Sequence, residues 1–477
     1  MQTKLFIKKY AEEVVKGTAA VFAGAGLSVP SGFVSWKDLL QPFAEEIGLS
    51  MEKENDYLSI AQYYVNSKRN RTEINRRICS AFISGAKENQ AVDIITRLPI
   101  STYWTTNYDH LIEESLQNNG KVADVKINPS DFLLEVKGAA ATVYKMHGDI
   151  QFPEHAVLTK RDYEDYDLKK AVFKTVLKSD LLSKTFLFIG FSFDDPNLNR
   201  ILASMRALVG EDMKPHYCFF KAVTKEIEES EEDFKYRKTK QDLMVEDLKN
   251  YGIDVVLLSD YEEIPKILRE VEKLVNLKNI FLSGSFSVET NEWKKEQVTE
   301  FTKTLAKLLV EKEIKITSGY GLGVGSATIT GVLEEVRTKK HAHFDDYLKL
   351  YPFPQPKGFE DYRELWHVYR TEMMLNCGTA IFIFGNKESD GKKVLAEGVR
   401  DEYKIAKEKG LILIPVASTG EMASTIYDEM FSNKDLYPYL SEYWDALKNE
   451  RDPIKIVELV NEIINKRLEQ IGGYYGA

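Results

Sequence analysis

A glycine turn, an asparagine and a histidine stand far apart in this chain, yet each follows a short apolar run. The turn is Gly24-Ala25-Gly26-Leu27-Ser28, directly after Ala19-Ala20-Val21-Phe22-Ala23. Asn107, in Thr106-Asn107-Tyr108-Asp109, follows Thr102-Tyr103-Trp104-Thr105, and His147-Gly148 follows Thr142-Val143-Tyr144-Lys145-Met146. Gly-Ala-Gly between a strand and a helix lets backbone amides approach a pyrophosphate closely. A carboxamide can hold a sugar hydroxyl or orient a water, and an imidazole can take a proton near neutral pH. Asp109 is better placed to brace its loop than to act as a nucleophile, and Asn or Asp at such a point also caps a helix. Together the groups suit a site that cleaves a dinucleotide.

A second set lies in the C-terminal half. Ser283-Gly284-Ser285 follows Ile280-Phe281-Leu282, and Ser318-Gly319-Tyr320-Gly321-Leu322-Gly323-Val324-Gly325-Ser326 follows Lys315-Ile316-Thr317. Both are phosphate cradles in form, with free amides at a strand end or helix start. Arg370 shares a helical face with Trp366 and suits phosphate pairing. Glu402 is placed to hydrogen-bond a ribose diol. His341 and His343 flank Ala342 without further ligands nearby in sequence, so no metal site is expected.

These groups need a scaffold that brings strand ends together. Further strand-like runs are Thr185–Ile189, His216–Phe220 and Ile253–Leu258, then Ala380–Phe384 and Leu411–Val416. Short apolar strands alternating with amphipathic helices predict an α/β fold of two Rossmann-like, doubly wound parallel-sheet domains. Ligands of such sheets bind at the carboxyl ends of the strands. Ser35-Trp36-Lys37-Asp38 predicts a helix start, Pro196 a first helical turn, and the charged stretch Lys225–Asn250 a solvated helix. The proline-rich insertion Tyr351–Gly358 predicts a loop. The boundary is expected near 275–279, giving domains 1–275 and 279–477.

Composition narrows the function. With 477 residues, 43% hydrophobic and 29% charged, the chain is globular and long enough for two cores. A net charge of −10 offers no basic excess for general nucleic-acid binding. The N-terminal residues form an amphipathic helical pattern rather than a signal peptide, and nothing is long and apolar enough for a membrane span. Three scattered cysteines, Cys79, Cys218 and Cys377, build neither a disulfide framework nor a four-thiolate zinc site, which suggests a reduced, cytoplasmic protein.

The N-terminal motifs resemble the NAD site of the sirtuin family, which carries Gly-Ala-Gly-x-Ser, Thr-x-Asn-x-Asp and His-Gly in the same order over roughly residues 1–275. Gly190-Phe191-Ser192 resembles the family's ribose-binding Gly-x-Ser turn. The resemblance implies NAD+ as substrate, with Ala23, Gly24, Ala25, Gly26, Ser28, Asp109, Gly190 and Ser192 binding it and Asn107 and His147 catalytic. The four zinc cysteines of deacylase sirtuins are missing. Gly32-Phe33-Val34-Ser35-Trp36 replaces their usual Pro-Asp-Phe-Arg and is similar to the sirtuin-like domains of prokaryotic defence proteins. What carries over is cleavage of the nicotinamide–ribose bond, without a metal.

The C-terminal half resembles the SLOG superfamily of nucleotide sensors. Where catalytic relatives have Pro-Gly-Gly-x-Gly-Thr-x-x-Glu, this chain has Asn376-Cys377-Gly378-Thr379-Ala380-Ile381-Phe382, which implies binding without hydrolysis. The pairing of the two halves resembles the effectors of the Thoeris anti-phage defence system. That resemblance implies a homotetrameric NADase switched on by a cyclic ADP-ribose isomer from a partner TIR-domain protein. Activator contacts are then expected from Gly284, Ser285, Gly321, Leu322, Gly323, Gly325, Arg370, Lys387 and Glu402. A sirtuin-type deacylase and a catalytically inactive nucleotide-binding regulator are the alternative readings.

Overall fold

The computed structural model describes residues 1–473 apart from 55, 83–85, 194, 211–212, 341 and 354–361. It divides into two compact units, Met1–Glu272 and Lys273–Ala477. The division falls within the helix Ile264–Asn276. His341 and most of the proline-rich insertion lie outside the described residues.

Unit 1 is built on seven parallel strands: β1 (Ala19–Ala23), β2 (Thr102–Thr105), β3 (Ala123–Lys126), β4 (Ala141–Lys145), β5 (Thr185–Ile189), β6 (His216–Lys221) and β7 (Ile253–Leu258). Their order is β3-β4-β2-β1-β5-β6-β7. The strand order reverses at β1, where Val21 is in register with Tyr103 of β2 on one side and Leu187 of β5 on the other. Every residue of β1 and β5 is buried, as expected of central parallel strands covered on both faces. Phe22, Trp104, Phe173, Phe186 and Phe188 fill the core beside them. The Trp104 indole stacks on Tyr144 at 4.2 Å between centroids and donates to Asp180 Oδ2 at 2.9 Å, so its polar edge is satisfied.

The helices that frame the strand ends start where local chemistry says they should. Ser35 Oγ accepts from the Asp38 amide and donates to its carboxylate, capping Trp36–Glu46. Asn89 caps Gln90–Arg97 through Oδ1, and its Nδ2 reaches back to the Leu27 carbonyl at 2.7 Å. The N-terminal helix Thr3–Val15 buries Phe6, Ile7, Tyr10, Ala11 and Val14, one face of the predicted amphipathic pattern. The charged connection is the helix Glu231–Lys249, which buries only Leu248.

Unit 2 has five parallel strands: β8 (Asn279–Ser285), β9 (Lys315–Ser318), β10 (Leu348–Leu350), β11 (Thr379–Phe384) and, after a hairpin, β14 (Ile412–Pro415). Their order is β10-β9-β8-β11-β14. The hairpin pairs β12 (Asn386–Ser389) with β13 (Lys392–Leu395). Its central residues Asp390 and Gly391 both have positive φ, the geometry of a tight hairpin turn that matches strand twist. Among the described residues no helix is long and apolar enough to cross a membrane.

Candidate active site and sensor site

In unit 1 the four motifs meet at the carboxyl ends of β1, β2, β4 and β5, on both sides of the strand-order reversal. Gly24 and Gly26 donate to the carbonyls of Ile189 and Gly190, both at 2.9 Å. A Cβ on Gly24 would overlap the Gly190 carbonyl, and one on Gly190, whose φ is +65°, would overlap Leu27 N. The glycines are therefore required for close approach of these two loops. This differs from the expected role: the Gly24 and Gly26 amides are used inside the protein, not offered to a pyrophosphate. Ser192 is exposed beyond this contact.

The second loop gathers around Asn107. Its Nδ2 donates to the Gly24 carbonyl at 3.0 Å and to Ser28 Oγ at 2.9 Å. A carbonyl can only accept, so the amide nitrogen must face it and Oδ1 must face the other way. Asn107 Oδ1 is buried without a hydrogen-bond partner. Asn107 lines a narrow cleft with Ala25, Ser28, Trp36, Thr106 and Asp109. Buried acceptors are nearly always satisfied, so an unsatisfied one in a cleft points to a ligand. Asp109 braces the loop as expected, its carboxylate accepting from Ser28 Oγ at 2.7 Å and from the Leu111 amide at 3.1 Å.

His147 is buried, with its ring edge-to-face against Tyr163 and Tyr166. Its Nε2 lies 3.1 Å from Asp195 Oδ2, off the line of a hydrogen bond. Tyr163 donates to the same oxygen at 3.0 Å, and Asp195 Oδ1 caps the helix Pro196–Val209. Burial by itself would raise the Asp195 carboxyl, but the neighbouring His147 and these hydrogen bonds hold it below the usual carboxylate range. Sequence reasoning placed Pro196 in the first helical turn but passed over Asp195. An aspartate before a proline at that point is itself a cap signal.

In unit 2 the two cradles touch. The Phe286 amide donates to Leu322 O at 2.7 Å, and a Cβ on Gly321 would overlap the Gly284 carbonyl. A Cβ on Gly325 would crowd Tyr320, whose own φ is +58°. Glu402 is buried beneath them and accepts from Ser283 Oγ at 2.5 Å. Desolvation raises its carboxyl, a shift opposed by Ser283 and the Arg370 charge. Arg370 Nε lies 3.7 Å from Glu402 Oε1, and the guanidinium sits over Phe353 at 4.8 Å and Trp366 at 5.8 Å. Trp366 and Arg370 thus share the predicted face. Arg370 Nε is buried with no hydrogen-bond partner. Lys387 is exposed on the hairpin. It is the neighbouring Asn386, missed in sequence, that accepts from Ser285 Oγ and from the amides of Ser287 and Val288.

Among the described residues, no group of three or more His, Cys, Asp or Glu side chains could hold a metal. His343 starts the short helix Phe344–Tyr347, its amide donating to Asp346. Activity is expected to survive a chelator unchanged, because the departing nicotinamide is a cationic leaving group that needs no Lewis acid. Loss in EDTA with recovery on adding zinc or magnesium would contradict this.

Residues 101–255 match the SIR2-like domain family, and residues 263–467 match the Sir2- and TIR-associating SLOG family. The chain is 43% identical over 467 residues to the NAD(+) hydrolase ThsA of Bacillus cereus (strain MSX-D12), covering 97% of each. It is 40% identical over 476 residues to the protein of that name in Acinetobacter baumannii (strain 532279), covering 97% of this chain and 98% of the relative. Against that of Cytobacillus dafuensis the identity is 44% over 444 residues, covering 91% and 89%. With this identity over nearly its whole length, and a SIR2-like segment followed by a SLOG segment, the chain belongs to the ThsA family.

Proposed function

We propose that this chain is an NAD+ glycohydrolase that depletes NAD+ in anti-phage defence and is switched on by a cyclic ADP-ribose isomer. Residues 1–275 carry catalysis and residues 279–477 carry sensing. The observation that supports catalysis best is the buried, unpartnered Asn107 Oδ1 in a cleft at the strand ends. The relatives' name, NAD(+) hydrolase, supplies the substrate class.

The reaction breaks the bond between ribose C1′ and the pyridinium nitrogen. The bonding pair leaves with the nitrogen, which becomes neutral nicotinamide, so no general acid is needed. The remaining centre is oxocarbenium-like, and a water adds to C1′ to give ADP-ribose and a proton. Asn107 Oδ1 accepts from a ribose hydroxyl or from that water. His147 takes the proton, and the Asp195 carboxylate beside Nε2 stabilises the imidazolium. A retaining or inverting glycosidase would use two carboxylates instead. The cleft has only about 10 Å³ of free space, room for about one water, and a dinucleotide needs far more. Widening of this cleft is therefore the step an activator would drive.

In unit 2 the unpartnered Arg370 Nε and the paired glycine-serine loops suit a phosphorylated nucleotide. The description of the matching family as Sir2- and TIR-associating supports a TIR-domain protein as the activator's source. A cytoplasmic homotetramer built on the sirtuin-like halves completes the proposal. The deciding experiment incubates the full chain with NAD+, with and without cyclic ADP-ribose isomers. Equal amounts of nicotinamide and ADP-ribose are expected, and only with one of the isomers. Cleavage that no isomer accelerates would overturn the sensor assignment, and no NAD+ loss under any condition would overturn the catalytic one.

A further inference from the structure

Lys145, the last residue of β4, is wholly buried although it carries an ammonium group. That group donates to the backbone carbonyls of Tyr108 at 3.2 Å and Asp109 at 2.5 Å. It also lies 2.5 Å from Asp149 Oδ2 and 3.1 Å from Glu113 Oε1. The two carbonyls belong to the loop that carries Asn107. Asp149 belongs to the loop that carries His147, two residues away.

Stability is a poor account of this arrangement. Taking a charge out of water is costly, and apolar side chains of similar volume often replace buried ion clusters at no loss. What an apolar residue cannot do is bind two carbonyls of one loop and a carboxylate of another at once. The surrounding bonds reinforce that link. Ile150 donates to Tyr108 O at 3.2 Å, a second tie between the same loops. Asp149 Oδ1 accepts from the Gln151 amide at 2.8 Å and lies 2.9 Å from His110 Nε2. Asp109, whose carbonyl Lys145 holds, in turn accepts from Ser28 Oγ, and Ser28 Oγ accepts from Asn107 Nδ2. Fixing the Asp109 backbone therefore fixes the chain of bonds that aims Asn107 Oδ1.

We propose that Lys145 is a positioning residue for NAD+ cleavage: its ammonium clamps the Asn107 loop to the His147 loop and holds the two catalytic groups in register without touching substrate. The inference rests on the NAD+-cleaving reading of the site. Small displacements of reacting groups cost about 100-fold in rate even when binding persists. The clamp therefore acts on kcat more than on KM.

The test compares three variants of the full chain under conditions in which wild type turns over NAD+. Lys145→Met removes the clamp, and its kcat is expected to fall at least tenfold with KM changed less than threefold. Because that variant can also lose its fold, two isosteric changes accompany it. Asp149→Asn cuts the link to the His147 loop, whereas Glu113→Gln removes a carboxylate that contacts the ammonium from the helix Leu111–Asn118. Each leaves Lys145 with one carboxylate. Since Asp149 is the nearer and also meets His110, thermal midpoints are read beside kcat. A purely charge-balancing role predicts kcat losses that follow the loss of stability. The clamp predicts a kcat loss of about tenfold for Asp149→Asn and less than threefold for Glu113→Gln. Equal kcat losses in this pair, losses that follow stability, or a folded Lys145→Met with kcat within threefold of wild type would overturn the clamp alone. Absence of NAD+ loss with the wild-type chain would overturn the clamp together with the reading of the site.

Discussion

Alanine at Asn107 or at His147 is expected to abolish NAD+ cleavage in a protein that still folds. Losing a general base costs about 100- to 10,000-fold in rate, and the His147 variant belongs in that range. Asn107→Ala removes an unsatisfied buried acceptor of the cleft along with its bonds to Gly24 O and Ser28 Oγ. Each such neutral hydrogen bond contributes roughly 0.5–1.5 kcal/mol, against about 5–15 kcal/mol for a typical domain. The fold should therefore persist. His147→Ala should lower the thermal midpoint more, because it opens a cavity where the buried ring packs on Tyr163 and Tyr166. The two losses of activity are thus separable by melting curves. Nicotinamide release with activator present, read beside thermal unfolding, checks both. Near-wild-type turnover in either folded variant would remove that residue from the mechanism.

The elements that carry this chemistry were legible because they are central. β1 and β5 are continuous apolar runs, buried on both faces, and their sequence bounds coincide with the observed strands. Of the edge strands, β7 and β14 keep apolar runs and were legible, whereas β3 and β10 were not. β3 reads Ala-Asp-Val-Lys and alternates buried with half-buried positions, its Asp124 and Lys126 forming an ion pair at 2.8 Å. No apolar run marks such a strand. β10 is three residues long, and β12 and β13 are polar and mostly exposed. The Asp390-Gly391 pair was nevertheless a hairpin signal that could have been used. For the site, sequence could name Asn107 and His147 by type and placement after strands. It could not show that the glycine turn is filled by Gly190, because that contact joins positions far apart in the chain. Nor could it show Asp195 beside His147, since a helix cap and a partner for an imidazole look the same in sequence.

The sensor half is best challenged at Arg370. Its guanidinium is held against Phe353 and Trp366, and its nearest described carboxylate oxygens, on Asp401 and Glu402, lie at 3.6 and 3.7 Å. Those separations exceed a formed hydrogen bond, so Nε remains available to a phosphate. Arg370→Ala is expected to weaken activator binding by about 1.5–3 kcal/mol, the range for a hydrogen bond to a charged group. That corresponds to roughly 10- to 150-fold in affinity. An activator shifts a two-state equilibrium only by its preference for the active state. The half-activating concentration should therefore rise by a similar factor, with turnover recovering as activator approaches saturation. Calorimetry with cyclic ADP-ribose isomers gives the first quantity, and NAD+ loss against isomer concentration gives the second. If binding weakened while the activation curve stayed in place, the activator would act elsewhere. If both stayed in place, the Arg370 guanidinium would not be the phosphate ligand. Parallel movement of the two curves is what ties this buried arginine to control of NAD+ cleavage.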